Sequence, residues 1–332
     1  MATKDNYFSF MKGLAIIAVL FIHTGGDGTV DIACRQLYNF PVALFFFLSG
    51  YFIKDERLDI KGIKHILIPY AIWTLLYFVK TTVEGSPVTT WRVINSLFFG
   101  GAFFPLYFLI VLIELKLISP WIVRHIRKMM SVSQYTFYKD WTLLITPATL
   151  CILYIIRYYT HSQPLIYAQI FPTWFIFYYI GAIMKFGGFR GNTLTALCCT
   201  LFGLYLSIWE SAYINEVLGT PSWAGSQIKF STFFYSLSFC ILLMTLHQKV
   251  KRNIIVRLGE LSFGIYLLHM PMIKITNYAL NGILDILHIE KFKILLVNQL
   301  SIISISLLLC YIFLIVMNKF LPGNVNRYLG FR

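Results

Sequence analysis

Charge is scarce in this sequence. Asp, Glu, Lys and Arg make up 13% of its 332 residues, against ~25% in an ordinary soluble domain, which excludes that class. Acid is scarcest: 14 Asp and Glu stand against 28 Lys and Arg, a net charge of +14. Such a surplus would suit a nucleic acid partner, but no RNP-like aromatic run, zinc-finger spacing or phosphate-binding glycine loop accompanies it. Cysteine is equally uninformative. Of Cys34, Cys151, Cys198, Cys199, Cys240 and Cys310, five lie in apolar runs and no C-x-x-C occurs, so neither a disulfide framework nor a metal site is expected. No small-residue cleavage site closes the first apolar run, which therefore reads as a retained anchor and not a removed signal.

What is abundant is apolar. The chain is 58% hydrophobic, with 30 Phe, 21 Tyr and a mean hydropathy of +0.70. Apolar runs near the ~20 residues that cross a bilayer as helix recur at about 8–26, 38–53, 66–80, 103–118, 141–159, 170–186, 194–214, 228–246, 258–280 and 292–317. The second and third are short enough to tilt or re-enter, and "FFGGAFFP" breaks the start of the fourth. The pattern predicts an all-α integral membrane protein of about ten transmembrane helices in one bundle. A single domain over residues 1–332 with no appended extracytoplasmic domain is expected, with its longest loop from Ser119 to Asp140. Basic residues set the orientation. With both termini cytosolic, Arg35, Lys80, Arg92, Arg157, Lys229, Lys274, Lys291 and Lys293 are the only Lys and Arg outside. The positive charge is mostly topological.

Ionisable side chains in hydrocarbon cost at least about 2.5 kcal/mol, so each is a functional candidate. In "FMKGLAIIAVLFIHTGG", Lys12 and His23 are eleven residues apart, three helical turns plus about 20°. They share a helix face about 16 Å apart along the axis. Alone, Lys12 also fits a snorkelling anchor at the cytosolic boundary, and His23 a packed histidine near the outer one. In "LGELSFGIYLLHMP", Ser262, Tyr266 and His269 share a face, at a depth that brings His269 level with His23. Pro271 just beyond favours a bend. Packing histidine and shared polar cavity both remain open there. Glu114 lies near the cytosolic end of its run beside Lys116 and reads as a snorkelling residue. Lys54, Arg57, Lys61 and Lys64 offer cations to phosphate, partly neutralised by Asp55, Glu56 and Asp59. Arg157 reads as an outer-edge anchor, and the remaining histidines carry no assignment.

Five segments in order then carry a resemblance: the K-x10-H first run, "FFFLSGYFI" (45–53) with Ser49, "KHILIPYAIW" (64–73), "PLYFLIVLIE" (105–114) and "LGELSFGIYLLHMP" (258–271). Together they resemble the acyltransferase family 3 membrane proteins, bacterial multispan O-acyltransferases, over nearly the whole chain. The resemblance implies transfer of an acyl group, usually acetyl from cytosolic acetyl-CoA, to a hydroxyl of an envelope carbohydrate at the bacterial plasma membrane. Acyl-CoA is then a substrate, with no bound cofactor and no metal. His23 and His269 would be catalytic, and Lys12, Lys61 and Lys64 would bind the donor. Ser49, Glu114, Ser262 and Tyr266 would be supporting polar groups. A homo-oligomer or a glycan-assembly partner is compatible with it. Three departures stand out: Lys12 where many members have arginine, Ser9 where many have aspartate, and Tyr107 where tryptophan is common. Lysine keeps the charge and loses the bidentate fork.

The chemistry suits the residues independently. A sugar hydroxyl needs a base, and histidine is the usual one near neutral pH; His23 could instead carry the acyl group transiently. A transporter or flippase for acyl or glycan intermediates is the alternative, though the repeats common in transporters are not evident. A purely structural scaffold leaves the intramembrane polar residues unexplained.

Overall fold

The computed structural model describes residues 5–132, 136–160, 168–286 and 295–331. Every regular element among them is helical. Lys4, His161, His288, Lys291, Lys293 and Arg332 lie outside the described residues. Asp5 opens α1 (Asn6–Thr24) by accepting the Tyr7 N–H at 2.9 Å, and Gly25 ends it in an extended conformation. The short α2 (Thr29–Leu37) precedes α3 (Pro41–Tyr51), whose proline stands in the first turn, where no N–H is missed. Asp59 caps α4 (Ile60–Val83) through the Gly62 N–H at 3.0 Å, and Thr89 caps α5 (Thr90–Phe98). A 3-10 turn over Phe104–Leu106 leads into α6 (Tyr107–Val132). Then come α7 (Ile145–Thr160), α8 (Phe171–Lys185), α9 (Thr193–Glu216) and the single turn α10 (Pro221–Ala224). The last third holds α11 (Phe230–Thr245), α12 (Ile254–Glu260), α13 (Ser262–Ile286), α14 (Leu295–Phe320) and α15 (Gly323–Leu329).

Each of the ten apolar runs is mostly helix among the described residues. Among the described residues, 7 helical stretches are long and apolar enough to cross a membrane, and 8 if α12 and α13 count as one bent span. The two runs that fall short lie on α8 and α11, 15 and 16 residues long. Their shortness has a packing counterpart in α8, which sits inside the bundle against α3, α6 and α7. Trp174, Phe175, Phe177, Tyr178 and Tyr179 are all buried there. Lipid tails are as apolar as these side chains, so close packing and not water exclusion must hold such helices together. Gly50 on α3 and Gly181 on α8 show it, for a Cβ on either would overlap the partner helix's Tyr178 or Phe47 carbonyl.

One expectation changes. The segment expected as the longest loop is mostly helix, because α6 continues to Val132 through Pro120. The Lys116 carbonyl, one turn before that proline and deprived of its N–H partner, accepts the Ser119 hydroxyl at 2.8 Å. The helix α13 continues through Pro271, and the chain turns by 91° at the α12–α13 break. The Leu267 carbonyl, which Pro271 leaves without its usual donor, receives the Tyr77 hydroxyl at 3.5 Å. Beside that break, α12 lies so tightly on α1 that a Cβ on Gly259 would overlap the Ser9 carbonyl oxygen and approach the Gly13 nitrogen.

Candidate active site

The two intramembrane histidines meet. The rings of His23, in the last turn of α1, and His269 on α13 are 5.1 Å apart, centroid to centroid, with 48° between their planes. His269 is fully buried, and its Nδ1 lies 2.5 Å from the Tyr266 carbonyl oxygen. A carbonyl only accepts, so Nδ1 carries the hydrogen and a neutral His269 presents Nε2 as an acceptor. That Nε2 is buried without a hydrogen-bond partner. Tyr266 fixes the neighbourhood in turn: its hydroxyl donates to the Pro105 carbonyl, and its ring packs 5.3 Å from that of Phe108. The FPL turn before α6 is thereby tied to α13.

His23 opens on a cavity of about 320 Å³, also lined by Arg35, Phe104, Tyr107, Trp174 and the 222–228 segment. A buried polar network holds that segment. Lys229 donates to Gln36 Oε1 at 3.0 Å, to the Ala224 carbonyl at 2.7 Å and to the Ser211 hydroxyl. Asn39 donates to the Gly225 carbonyl at 3.2 Å. Glu210 accepts the hydroxyls of Tyr154 and Ser231. Arg157, expected as an outer-edge anchor, stands 4.0 Å over the Trp223 ring.

Lys12, at the other end of α1, lines a different cavity of about 450 Å³ together with Ser49, Lys54, Arg57, Asp59 and Lys116. Lys12 Nζ lies 5.5 Å from the centre of the Phe52 ring, and the Ser49 hydroxyl donates to the Phe45 carbonyl at 2.8 Å. Lys116 pairs with Asp59 at 3.2 Å. The Gly62 N–H, and after it Lys116, hold the Asp59 carboxyl below its ordinary range against the opposing pull of burial. Among the described residues no group of three or more His, Cys, Asp or Glu converges to hold a metal ion.

A family described as an acyltransferase domain matches residues 5–318, nearly the whole chain. The chain belongs to the acyltransferase 3 family. Membrane acyl transfer is the activity this membership supports. No curated protein and no solved structure matches the chain.

Of the residues singled out in this acyltransferase from sequence, the structure unites His23, His269 and Tyr266, and places Lys12 with Ser49. Ser262, at the start of α13, is about 10 Å along the helix from His269. Lys61 and Lys64 line a separate groove of about 210 Å³ with His65, Asn324, Arg327 and Tyr328. Glu114 is not a snorkelling residue. Because α6 runs on to Val132, Glu114 lies within the helix, and its Oε2 accepts the Phe171 N–H at 2.9 Å, capping α8. Arg35, Trp174, Gln227 and Lys229 carried no sequence signal. Each gains its meaning from neighbours far along the chain.

Proposed function

We propose that this acyltransferase moves an acetyl group from cytosolic acetyl-CoA to a hydroxyl of a cell-envelope carbohydrate, in a bacterial plasma membrane crossed ten times with both termini cytosolic. The observation that carries the reading is α1 itself, with a basic cavity at one end and a histidine pair at the other. Lys12, Lys54, Arg57 and Lys116 take the phosphates of the coenzyme. The long thioester arm follows α1 over the roughly 16 Å from Lys12 to His23. Phe104 offers an exposed aromatic face to a sugar entering the other cavity.

The chemistry then runs between neutral groups. His23 accepts the proton of the acceptor hydroxyl as its oxygen attacks the thioester carbonyl. The tetrahedral intermediate expels the coenzyme's sulfur, which takes that proton from His23, leaving ester and free thiol. His269 is a positioning residue: its Nε2 has no partner in the structure, and at a ring separation of 5.1 Å it is close enough to accept the His23 N–H once the rings turn toward one another with substrate bound. Lys61 and Lys64 contribute to donor affinity from their own groove, less than the residues beside Lys12.

The test is transfer of labelled acetyl from acetyl-CoA into envelope glycan, in membranes carrying either the natural protein or His23→Ala at matched expression. Label lost in the variant is the expected result; equal label from both removes His23 as the base. Release of free thiol by the purified protein separates this reading from a transporter that makes no bond. The topology is checked with an impermeant thiol reagent on single cysteines placed near each end, which should stay unlabelled in intact cells.

A further inference from the structure

The His23 cavity holds a fixed positive charge that the proposed chemistry does not use. Arg35, from α2, lines it with a side chain only 13% exposed. Its Nη2 donates to the Gly26 carbonyl at 2.8 Å. Asp27 stands 3.8 Å from the same nitrogen but is itself 78% exposed, so solvent screens most of that pairing. Nε is buried and has no hydrogen-bond partner. Two glycines from distant segments make the slot: a Cβ on Gly25 would stand 3.3 Å from Nη2, and one on Gly225 would stand 2.6 Å from Nη1.

A guanidinium withdrawn from water with donors unmatched is costly until an anion completes it. That anion has three conceivable sources. A protein carboxylate is one, but among the described residues no Asp or Glu lines the cavity. The donor's phosphates are another, but they belong with Lys12, about 16 Å away along α1. The acceptor is what remains, and this cavity is where it enters. We infer that the acceptor is an acidic saccharide, whose carboxylate or phosphate is gripped by Arg35 while the sugar ring packs on the exposed ring of Phe104. The inference rests on the acyltransferase reading above. Both anions present two oxygens to the guanidinium fork, so both are within its recognition chemistry. Gln227, whose Oε1 is buried without a partner in the same cavity wall, is placed to accept a sugar hydroxyl.

A guanidinium aimed instead at the tetrahedral oxyanion would serve every acceptor alike, and kinetics separates the two roles. The experiment uses the full-length protein in lipid nanodiscs with acetyl-CoA, following release of free thiol. The acceptors are oligosaccharides bearing glucuronate, sialate or a sugar phosphate, each against its neutral counterpart with the carboxyl reduced or the phosphate removed. At least one acidic member should stimulate release with a KM about tenfold or more below that of its counterpart. Arg35→Gln should close that gap by raising the acidic KM about 10- to 100-fold, and Arg35→Lys should recover part of it. Neutral members used equally well, no acidic member stimulating release, or a kcat lost equally on both classes in Arg35→Gln would each overturn the inference. Binding of labelled acetyl-CoA, measured on the same samples, keeps the two levels apart. A natural protein that does not bind the donor strikes the acyltransferase reading itself, whereas donor binding without acidic preference strikes only Arg35. Donor binding retained in Arg35→Gln shows that the variant is folded.

Discussion

Gly259→Ala adds one methyl group where the structure has no room for it. The atoms it would meet are the Ser9 carbonyl oxygen and the Gly13 nitrogen of α1, and no rotamer change can move backbone out of the way. Overpacking of this kind costs about 1–3 kcal/mol. The cost is not confined to stability. Relief requires α12 to lift from α1, next to Lys12, and α12 leads through the 91° bend into the helix that carries His269. A displacement of about 1 Å at a reacting group costs up to ~100-fold in rate, so kcat should fall well beyond what reduced stability explains. Thermal unfolding in detergent and thiol release from acetyl-CoA provide the two readouts. Gly282→Ala is the matched control, since a Cβ there meets nothing within 4 Å; on that helix it should stabilise by up to about 1 kcal/mol. Gly13→Ala strains the same contact through the Ile255 carbonyl. The double variant should therefore cost less than the sum of the singles, as changes at one interface do. If Gly259→Ala melts and turns over like the natural protein, the tight α1–α12 contact is wrong, and with it the path from that contact to His269.

Three further outcomes follow from the same geometry. Arg57→Ala or Lys116→Ala should raise the KM for acetyl-CoA by about tenfold with a smaller change in kcat, and more than Lys61→Ala or Lys64→Ala, which line the other groove; the reverse ranking in steady-state kinetics would move the phosphates out of the Lys12 cavity. Asp59 is held below its ordinary carboxyl range, so its contribution to stability is in place above about pH 4 and is lost as pH falls through the folded value; melting temperatures between pH 6 and pH 3 should decline less steeply in Asp59→Asn, and identical slopes would refute the pairing. Glu114→Ala should destabilise by about 1 kcal/mol through loss of the α8 cap. Glu114→Gln, which keeps an acceptor oxygen, should restore most of it; a Gln variant as damaged as Ala would mean that the charge has a further role.

Helices were readable from the sequence because they depend on local composition. Among the described residues each apolar run is mostly helix, and the eleven-residue spacing that sets Lys12 and His23 on one face needed only the helical repeat. The shared level of His23 and His269 was also readable, and the rings do meet at 5.1 Å. Where the reading failed, the deciding partner lay far away in the chain. The carbonyl that Pro271 frees within α13 is met by Tyr77, 190 residues earlier, a partner no local pattern announces. Glu114 looked like a residue reaching for the cytosol until α8 arrived with an uncapped N–H 57 positions later. Lys229 counted only as an outer-loop cation, and its partners Gln36 and Ser211 belong to α2 and α9. Arg35 is the sharpest case. Nothing in "DIACRQLYNF" distinguishes it from an interfacial anchor, because the slot around its guanidinium is cut by two glycines at positions 25 and 225. Positions within one helix follow from pattern; which side chain a neighbouring helix completes does not. In a membrane, where burial alone gives little reason for one helix to choose another, the polar contacts that sequence hides are the ones that decide the site.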